Sequence, residues 1–288
     1  MRHAALRALN LARGNKSLAA RSMGVSRGMM LRSLQKSGTA APFKLLFLDI
    51  ETAPNMSYTW GLHNQFISID QIVAPGYTLC MSAKWEHNDE VMFRSIQEDG
   101  ADGLAQFAHT LLGEADAVCT FNGKKFDVPV LTRDFLLHKM PPPRPYHHID
   151  IYQVVRKQFR FASNKLDYLC QHLGLGGKVQ HKGMQLWKDC MAGDADSWKT
   201  MREYNERDVT LLEGLYNLVL PYIPTHPNRG LWMDSTEPTC THCGSTNVTE
   251  EGVVHLKVQT YPQWVCNDCG NYMRGRLRSA PPKEGVLL

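Results

Sequence analysis

Through the middle of the chain, short apolar runs alternate with amphipathic stretches of helix length, and turn residues separate them. "KLLFLDIE", Lys44 to Glu51, sets four large apolar residues ahead of two acids, a composition that predicts a strand buried on both faces. "YTLCMSAKWE" and "EVMFRSI" read as two further strands joined by the turn "HND". "GLAQFAHTLLGEA" has helical periodicity and "DAVCTFNG" is another strand. "DVPVLTRDFLLHK" is a helix with Pro129 in its first turn, where proline is tolerated. After the proline-rich loop at Pro141–Pro145, "YHHIDIY" predicts a short fifth strand, and the chain is then mainly helical to about Tyr222. A β-β-β-α-β-α order predicts an α/β layered fold.

The two acids that end the first strand need an explanation. Successive side chains on a strand point to opposite faces, so Asp49 and Glu51 share one. Two carboxylates so placed repel, and desolvating them costs several kcal/mol each without a partner. A divalent cation removes that penalty, and so does a strand end that has reached water. The octet leaves both readings open.

Three more groups bear on the choice. "FNGKKFDVPVL" places Asp127 at the start of a helix, with Asn122 and Phe126 just before it. In "YNERDVTLLEGLY", Tyr204 and Asp208 are four apart and face the same way on a helix. The order D-x-E, then N-x-x-x-F-D, then Y-x-x-x-D resembles the DEDDy 3′–5′ exonucleases of the ribonuclease H-like superfamily. That group includes the proofreading domains of family-B DNA polymerases and stand-alone relatives. "ASNKLDYLCQHLGLGGKV" is similar to the S-x-x-L-D-x-x-x-x-x-L-G segment that precedes the last motif in the family. The resemblance covers roughly residues 43–223; the stretch from Ala53 to Gly76 is a longer insertion than the minimal fold needs.

The resemblance implies a mixed sheet with flanking helices and hydrolysis of phosphodiesters with two Mg²⁺ or Mn²⁺ ions, hard cations that prefer carboxylate oxygen. It implies that Asp49 bridges both ions and that Glu51 and Asp208 complete one. Asp127 would support the other, partly through water. Tyr204 would orient the attacking water and help remove its proton, although a tyrosine of ordinary pKa is a poor base alone. Asn122 and Phe126 resemble positions that contact terminal nucleotides, with a core role the alternative for Phe126. Lys165 is a candidate phosphate contact or a solvated lysine. Tyr58, Trp60, His63 and Phe66 in the insertion either stack on unpaired bases or pack over the sheet edge. "HHID", His147 to Asp150, reads as structural, because the family uses no histidine ligand there.

Charge and cysteine divide the flanks from this region. Residues 1–40 hold eight Lys or Arg and no acid, whereas the remainder carries 24 basic against 28 acidic residues. A basic arm on a mildly acidic body suggests a polyanion-binding appendage. Its G-N-K-x-x-A-A-R-x-x-G-V-S-R pattern resembles a Fis-type helix-turn-helix, with Gly24 in the turn. That resemblance implies DNA contacts from Arg27, Arg32 and Lys36. A transit peptide is the alternative for an arginine-rich, acid-free N-terminus. Near the other end, Cys240, Cys243, Cys266 and Cys269 form C-x2-C-x22-C-x2-C, each pair followed by glycine. Four thiolates at that spacing predict one structural Zn²⁺, and the alternating "VVHLKVQTYPQWVC" between them predicts the hairpin of a zinc ribbon. Cys80, Cys119, Cys170 and Cys190 read as buried free thiols in a reducing cytosol.

The organisation expected is a small all-α helix-turn-helix over 1–37 and a linker over 38–42. An α/β ribonuclease H-like exonuclease domain follows over 43–225, then a zinc ribbon over 236–275 and a tail. Without a secretory apolar region or a membrane-length apolar run, the expected location is the cytoplasm, bacterial or viral in a host, with organelle targeting as the alternative. The expected function is metal-dependent 3′–5′ hydrolysis of DNA. A replication or repair polymerase would then be a partner in trans. An exoribonuclease, or a DNA-binding regulator that keeps the exonuclease fold as a scaffold, are the alternatives. DNA is favoured because a helix-turn-helix reads the B-form major groove, which A-form RNA does not offer.

Overall fold

The computed structural model of the chain describes residues 20–25 and 43–279. It divides into two compact units, one spanning Lys44–Leu215 and a second that holds Phe43 and the chain from Tyr216 onward.

The first unit is built on a five-stranded mixed sheet. Its strands are β1 (Leu45–Thr52), β4 (Thr78–Trp85), β5 (Met92–Ser95), β6 (Ala117–Thr120) and β7 (His147–Asp150), in the order β5-β4-β1-β6-β7. β4 runs antiparallel to β1 and β5, while β6 runs parallel to β1 and β7. β1 is central, which explains why Leu45 to Leu48 are almost wholly apolar and buried. Its Leu46, Leu48 and Ile50 pack against α1 (Ile96–Glu114) through Leu104, Ala108 and Leu111, and against α2 (Asp127–Leu137) through Leu131 and Phe135. A second core joins β4 and β5 to α5 (Met184–Met191) and α6 (Ala195–Val219) through Leu79, Phe93, Leu186, Trp198 and Met201. Between these, α3 (Ile151–Gln158) and α4 (Leu166–His172) carry the chain from β7.

Two local features depart from periodicity. α1 starts at Ile96 rather than at Gly103, because Ser95 caps it: its hydroxyl accepts from the Glu98 amide at 3.2 Å. Gly100 then breaks the helix with φ 67° and ψ 174°. The insertion after β1 forms its own two-stranded ribbon, β2 (Met56–Ser57) with β3 (Ile72–Ala74).

In the second unit, β8 (Val248–His255) and β9 (Thr260–Cys266) make the expected hairpin, and β10 (Tyr272–Arg274) adds to β9. Among residues 20–25, Ala20–Ser22 are helical and Gly24 follows at φ 64°. The rest of the helix-turn-helix reading, including Arg27, Arg32 and Lys36, lies outside the described residues. No helix among the described residues is long and apolar enough to cross a membrane. Cys80, Cys119, Cys170 and Cys190 are free and buried.

Candidate active site

Strand alternation puts Asp49 and Glu51 on the face of β1 opposite the core that α1 and α2 make. α6 meets them there. Asp49, Glu51 and Asp208 each offer a carboxylate oxygen within 4.8 Å of the others'. Asp127 stands outside this trio but is tied to it. As the buried first residue of α2, it accepts a hydrogen bond from the Ile50 amide at 3.3 Å, on the residue between the two β1 acids.

The trio is electrostatically costly. Burial raises the Asp49 carboxyl far above the usual range, and the charges of Asp127, Asp208 and Glu51 raise it further. Burial, then the charge of Asp208, pushes Glu51 up to about 8. Burial pushes Asp127 up to about 7. Asp208 is also raised by burial, against the lowering influence of Lys178. Acids held toward their neutral form by burial, and at Asp49 and Glu51 also by their acidic neighbours, are a site that gains from a cation.

Two residues outside the sequence-predicted set organise these acids. Asn205, fully buried, donates from Nδ2 to Asp49 Oδ2 at 2.7 Å, and its Oδ1 accepts from the Cys80 thiol at 3.8 Å. A carboxylate only accepts, so the amide nitrogen must face Asp49. The Lys178 ammonium bonds Asp208 Oδ2 and donates to the Tyr204 hydroxyl at 3.0 Å, lying 4.8 Å from that ring's centroid. Burial opposes its charge, but Asp208 and Tyr204 outweigh that and raise its pKa above the ordinary lysine value. The loop that presents Lys178 is pinned from two helices. Asp167 of α4 accepts from the Lys178 amide at 2.8 Å, and Arg207 of α6 donates to the Leu175 and Gly177 carbonyls at 3.2 Å each.

Asn205 had a signal in the sequence: it lies three residues before Asp208, on the same helix face. Lys178 had only its place near the end of "ASNKLDYLCQHLGLGGKV", because its loop meets the site only through the fold.

The remaining sequence-predicted residues lie in the β6–α2 turn and at the start of α4. Asn122 sits in the β6–α2 turn at φ 69°, and its amide donates to Asp150 Oδ1 at 2.9 Å. The Lys124 amide donates to the other oxygen of Asp150 at 3.2 Å. Asp150 therefore braces the turn that leads into Asp127, which accounts for its place in "HHID". Phe126, immediately before Asp127, is exposed and so is not a core residue. Lys165 is exposed at the start of α4.

A hard divalent cation fits the acids. The donors are carboxylate oxygens, and Asp208 Oδ1 is buried with no hydrogen-bond partner. A buried carboxylate oxygen left bare is costly unless a cation completes it.

The cysteine cluster is equally closed. Sγ atoms of Cys240, Cys243, Cys266 and Cys269 all lie within 4.8 Å of one another. The two pairs form matching turns: the Gly244 amide donates to the Cys240 carbonyl at 3.0 Å, and the Gly270 amide to the Cys266 carbonyl at 2.8 Å. Both glycines have positive φ, 75° and 78°, a conformation that favours glycine there. Cys240 Sγ accepts from the His242 amide at 3.4 Å and the Asn271 side chain at 3.9 Å. Such donors suit a thiolate set, and four soft sulfurs suit zinc.

A family model described as RNase_H superfamily matches residues 46–220. No curated protein matches the sequence. Among solved structures, the chain is similar to the family B DNA polymerase from the hyperthermophilic archaeon Pyrobaculum calidifontis. The two share 16% identity with a TM-score of 0.48, over 67% of this chain and 28% of the polymerase. The chain thus spans under a third of that polymerase's length. The family match runs from β1 through α6 and takes in all four acids, and on that ground the chain belongs to the RNase H superfamily, a fold of nucleases.

Proposed function

We propose that the protein is a 3′–5′ exonuclease that trims single-stranded 3′ ends of DNA at the acidic centre. The observation that carries this reading is the convergence of carboxylate oxygens of Asp49, Glu51 and Asp208, together with a buried, unpartnered oxygen on Asp208. The order of the D-x-E, N-x-x-x-F-D and Y-x-x-x-D motifs supports it.

In this reading Asp49, Glu51 and Asp208 hold one divalent ion, and Asp49 with Asp127 holds a second. A bound pair of hard cations supplies neutralisation of phosphate charge and acidification of water. The protein's own groups do the placing. Asn205 holds the Asp49 carboxylate in one orientation. Tyr204 is pushed up to about 12 by burial and then by Asp208, so its hydroxyl stays protonated near neutral pH. Its oxygen accepts from Lys178, which leaves its own proton to donate. Tyr204 therefore suits orienting a water molecule better than taking its proton. Exposed Phe126, next to Asp127, suits contact with a terminal base, and Asn122 in the same turn and Lys165 at the start of α4 are further candidate substrate contacts. The cysteine cluster is proposed as a structural Zn²⁺ site and the basic N-terminal segment as a DNA tether.

The test is incubation with single-stranded oligonucleotides labelled at either end, in Mg²⁺ or in EDTA. Expected are stepwise loss from the 3′ end, no reaction in EDTA, and loss of several orders of magnitude in Asp49→Asn and Asp208→Asn. Full activity in either variant would sink the assignment.

A further inference from the structure

The insertion after β1 forms an arm whose root is locked and whose tip is bare. At the root, the Ala53 amide donates to the Tyr77 carbonyl at 2.8 Å and the Gly76 amide to Asn55 Oδ1 at 2.6 Å. A side chain at Gly76 would place its Cβ 2.5 Å from the Ala53 carbonyl oxygen, so only glycine fits this closure. Farther out, the Tyr58 amide donates to the Gln71 carbonyl at 3.0 Å, and the Gln71 side chain returns a bond to the Tyr58 carbonyl at 3.0 Å. Beyond these bonds the large apolar side chains are uncovered. Trp60 is 97% exposed, Phe66 91% and Tyr58 76%. They do not pack over the sheet edge, which was the other reading of their sequence.

We propose that this arm is a stacking subsite for unpaired bases of the substrate strand, with Trp60 and Phe66 as its main platforms. The inference rests on the exonuclease reading and adds the part of the substrate that the acids do not touch. Continuity selects the occupant. The arm leaves β1 directly after Glu51, so chain reach puts Trp60 within about 30 Å of that carboxylate. A single strand whose 3′ end lies at the acids must leave past neighbouring surface. Composition agrees: residues 53–77 contain one acid, Asp70, and no Lys or Arg. An arm without cations cannot hold phosphates by charge, whereas ring faces hold bases irrespective of sequence. Tyr58, Trp60 and Phe66 supply those faces, and the root bonds fix the backbone at the base of the arm that carries them.

The experiment measures binding of a nuclease-resistant phosphorothioate oligothymidine of about 15 nucleotides in EDTA, by fluorescence anisotropy across a salt series. Trp60→Ala and Phe66→Ala should each weaken binding by about tenfold, with the melting temperature unchanged because both side chains are exposed. The slope of log affinity against log salt should stay that of the parent, because no phosphate contact is removed. An abasic strand of equal length should bind the parent as weakly as it binds the variants, and Trp60→Phe should recover most of the loss. Equal affinity of parent and variants for oligothymidine would overturn the proposal, as would an abasic strand that binds the parent as well as oligothymidine does. Light scattering that shows a dimer of the parent and a monomer of Trp60→Ala, with oligothymidine affinity unchanged, would make the arm an interface between copies and overturn it too. Failure of the arm alone leaves oligonucleotide hydrolysis in Mg²⁺ intact, whereas failure of the exonuclease reading abolishes it.

Discussion

The side-chain amide of Asn205 donates to the Asp49 carboxylate at 2.7 Å, although 156 residues separate the two in sequence. The bond crosses from α6 to β1 and sets which oxygen of Asp49 is spoken for. Asn205→Ala should therefore lower the apparent affinity for Mg²⁺ and the turnover number by about 10- to 100-fold, the usual effect of losing a bond that orients a ligand. Titration of activity against Mg²⁺, together with Mg²⁺-induced thermal stabilisation, checks this. A parental Mg²⁺ response in both assays would show that Asp49 needs no such brace.

Lys178 is a counter-charge to Asp208. Its partner Asp208 is buried, with 3% of the side chain accessible against 26% for the lysine. Lys178→Met leaves that carboxylate without its cation and should destabilise the metal-free protein by about 2 kcal/mol, at the low end for a buried pair because the lysine is partly screened by solvent. Mg²⁺ should recover much of the loss by neutralising the same acids. Thermal melts with and without Mg²⁺ decide it: an equal deficit in both would mean that Lys178 does not act as the site's counter-ion.

For the cysteine cluster the expected content is one Zn²⁺ per chain, measured by elemental analysis of protein purified without chelator. Cys266→Ser should lose the metal and expose the β8–β9 hairpin to protease, since a module this small depends on its metal. Hydrolysis of a short oligonucleotide should be largely retained. Protein that contains no zinc yet resists protease would refute the assignment.

His148 gives a pH dependence with a definite sign. Burial depresses its pKa to about 4; Asp150 opposes the shift and Lys124 reinforces it. Its ring nitrogen lies 2.9 Å from Thr120 Oγ1. An unfolded histidine titrates near about 6.5, so between these values the unfolded chain binds the extra proton. The His148 contribution to stability should therefore be lost as pH drops from about 6.5 to about 4, by up to about 2 kcal/mol after allowance for partial solvent access, against the opposite trend of the raised acids Glu51 and Asp127. His148→Gln should remove that contribution, so urea melts of parent and variant should converge in stability as pH falls through this window; a difference that does not change with pH would place the titrating group elsewhere.

The basic segment has its own signature. Eight positive charges that neutralise even four or five phosphates would contribute a log–log salt slope of roughly −4 on B-DNA. Deleting residues 1–40 should flatten the salt dependence of duplex binding by about that amount and leave turnover on a short single strand unchanged. An unchanged slope would remove the tether and favour the targeting-peptide reading.

What the sequence determined by itself is what local periodicity and spacing encode. A run such as Leu45–Leu48 can only satisfy its burial in the middle of a sheet, and alternation then puts Asp49 and Glu51 on one face. Helical spacing sets Tyr204 and Asp208 together, and two C-x-x-C-G turns hold four sulfurs ready to converge. The tertiary structure decided everything that depends on contacts between distant segments. Periodicity said nothing of Asn205 reaching Asp49, or of Asp167 and Arg207 pinning the loop that sets Lys178 on Asp208. The same holds for Trp60 and Phe66: their composition fits stacking or packing equally, because hydrophobicity is a property of the side chain and exposure a property of its neighbours.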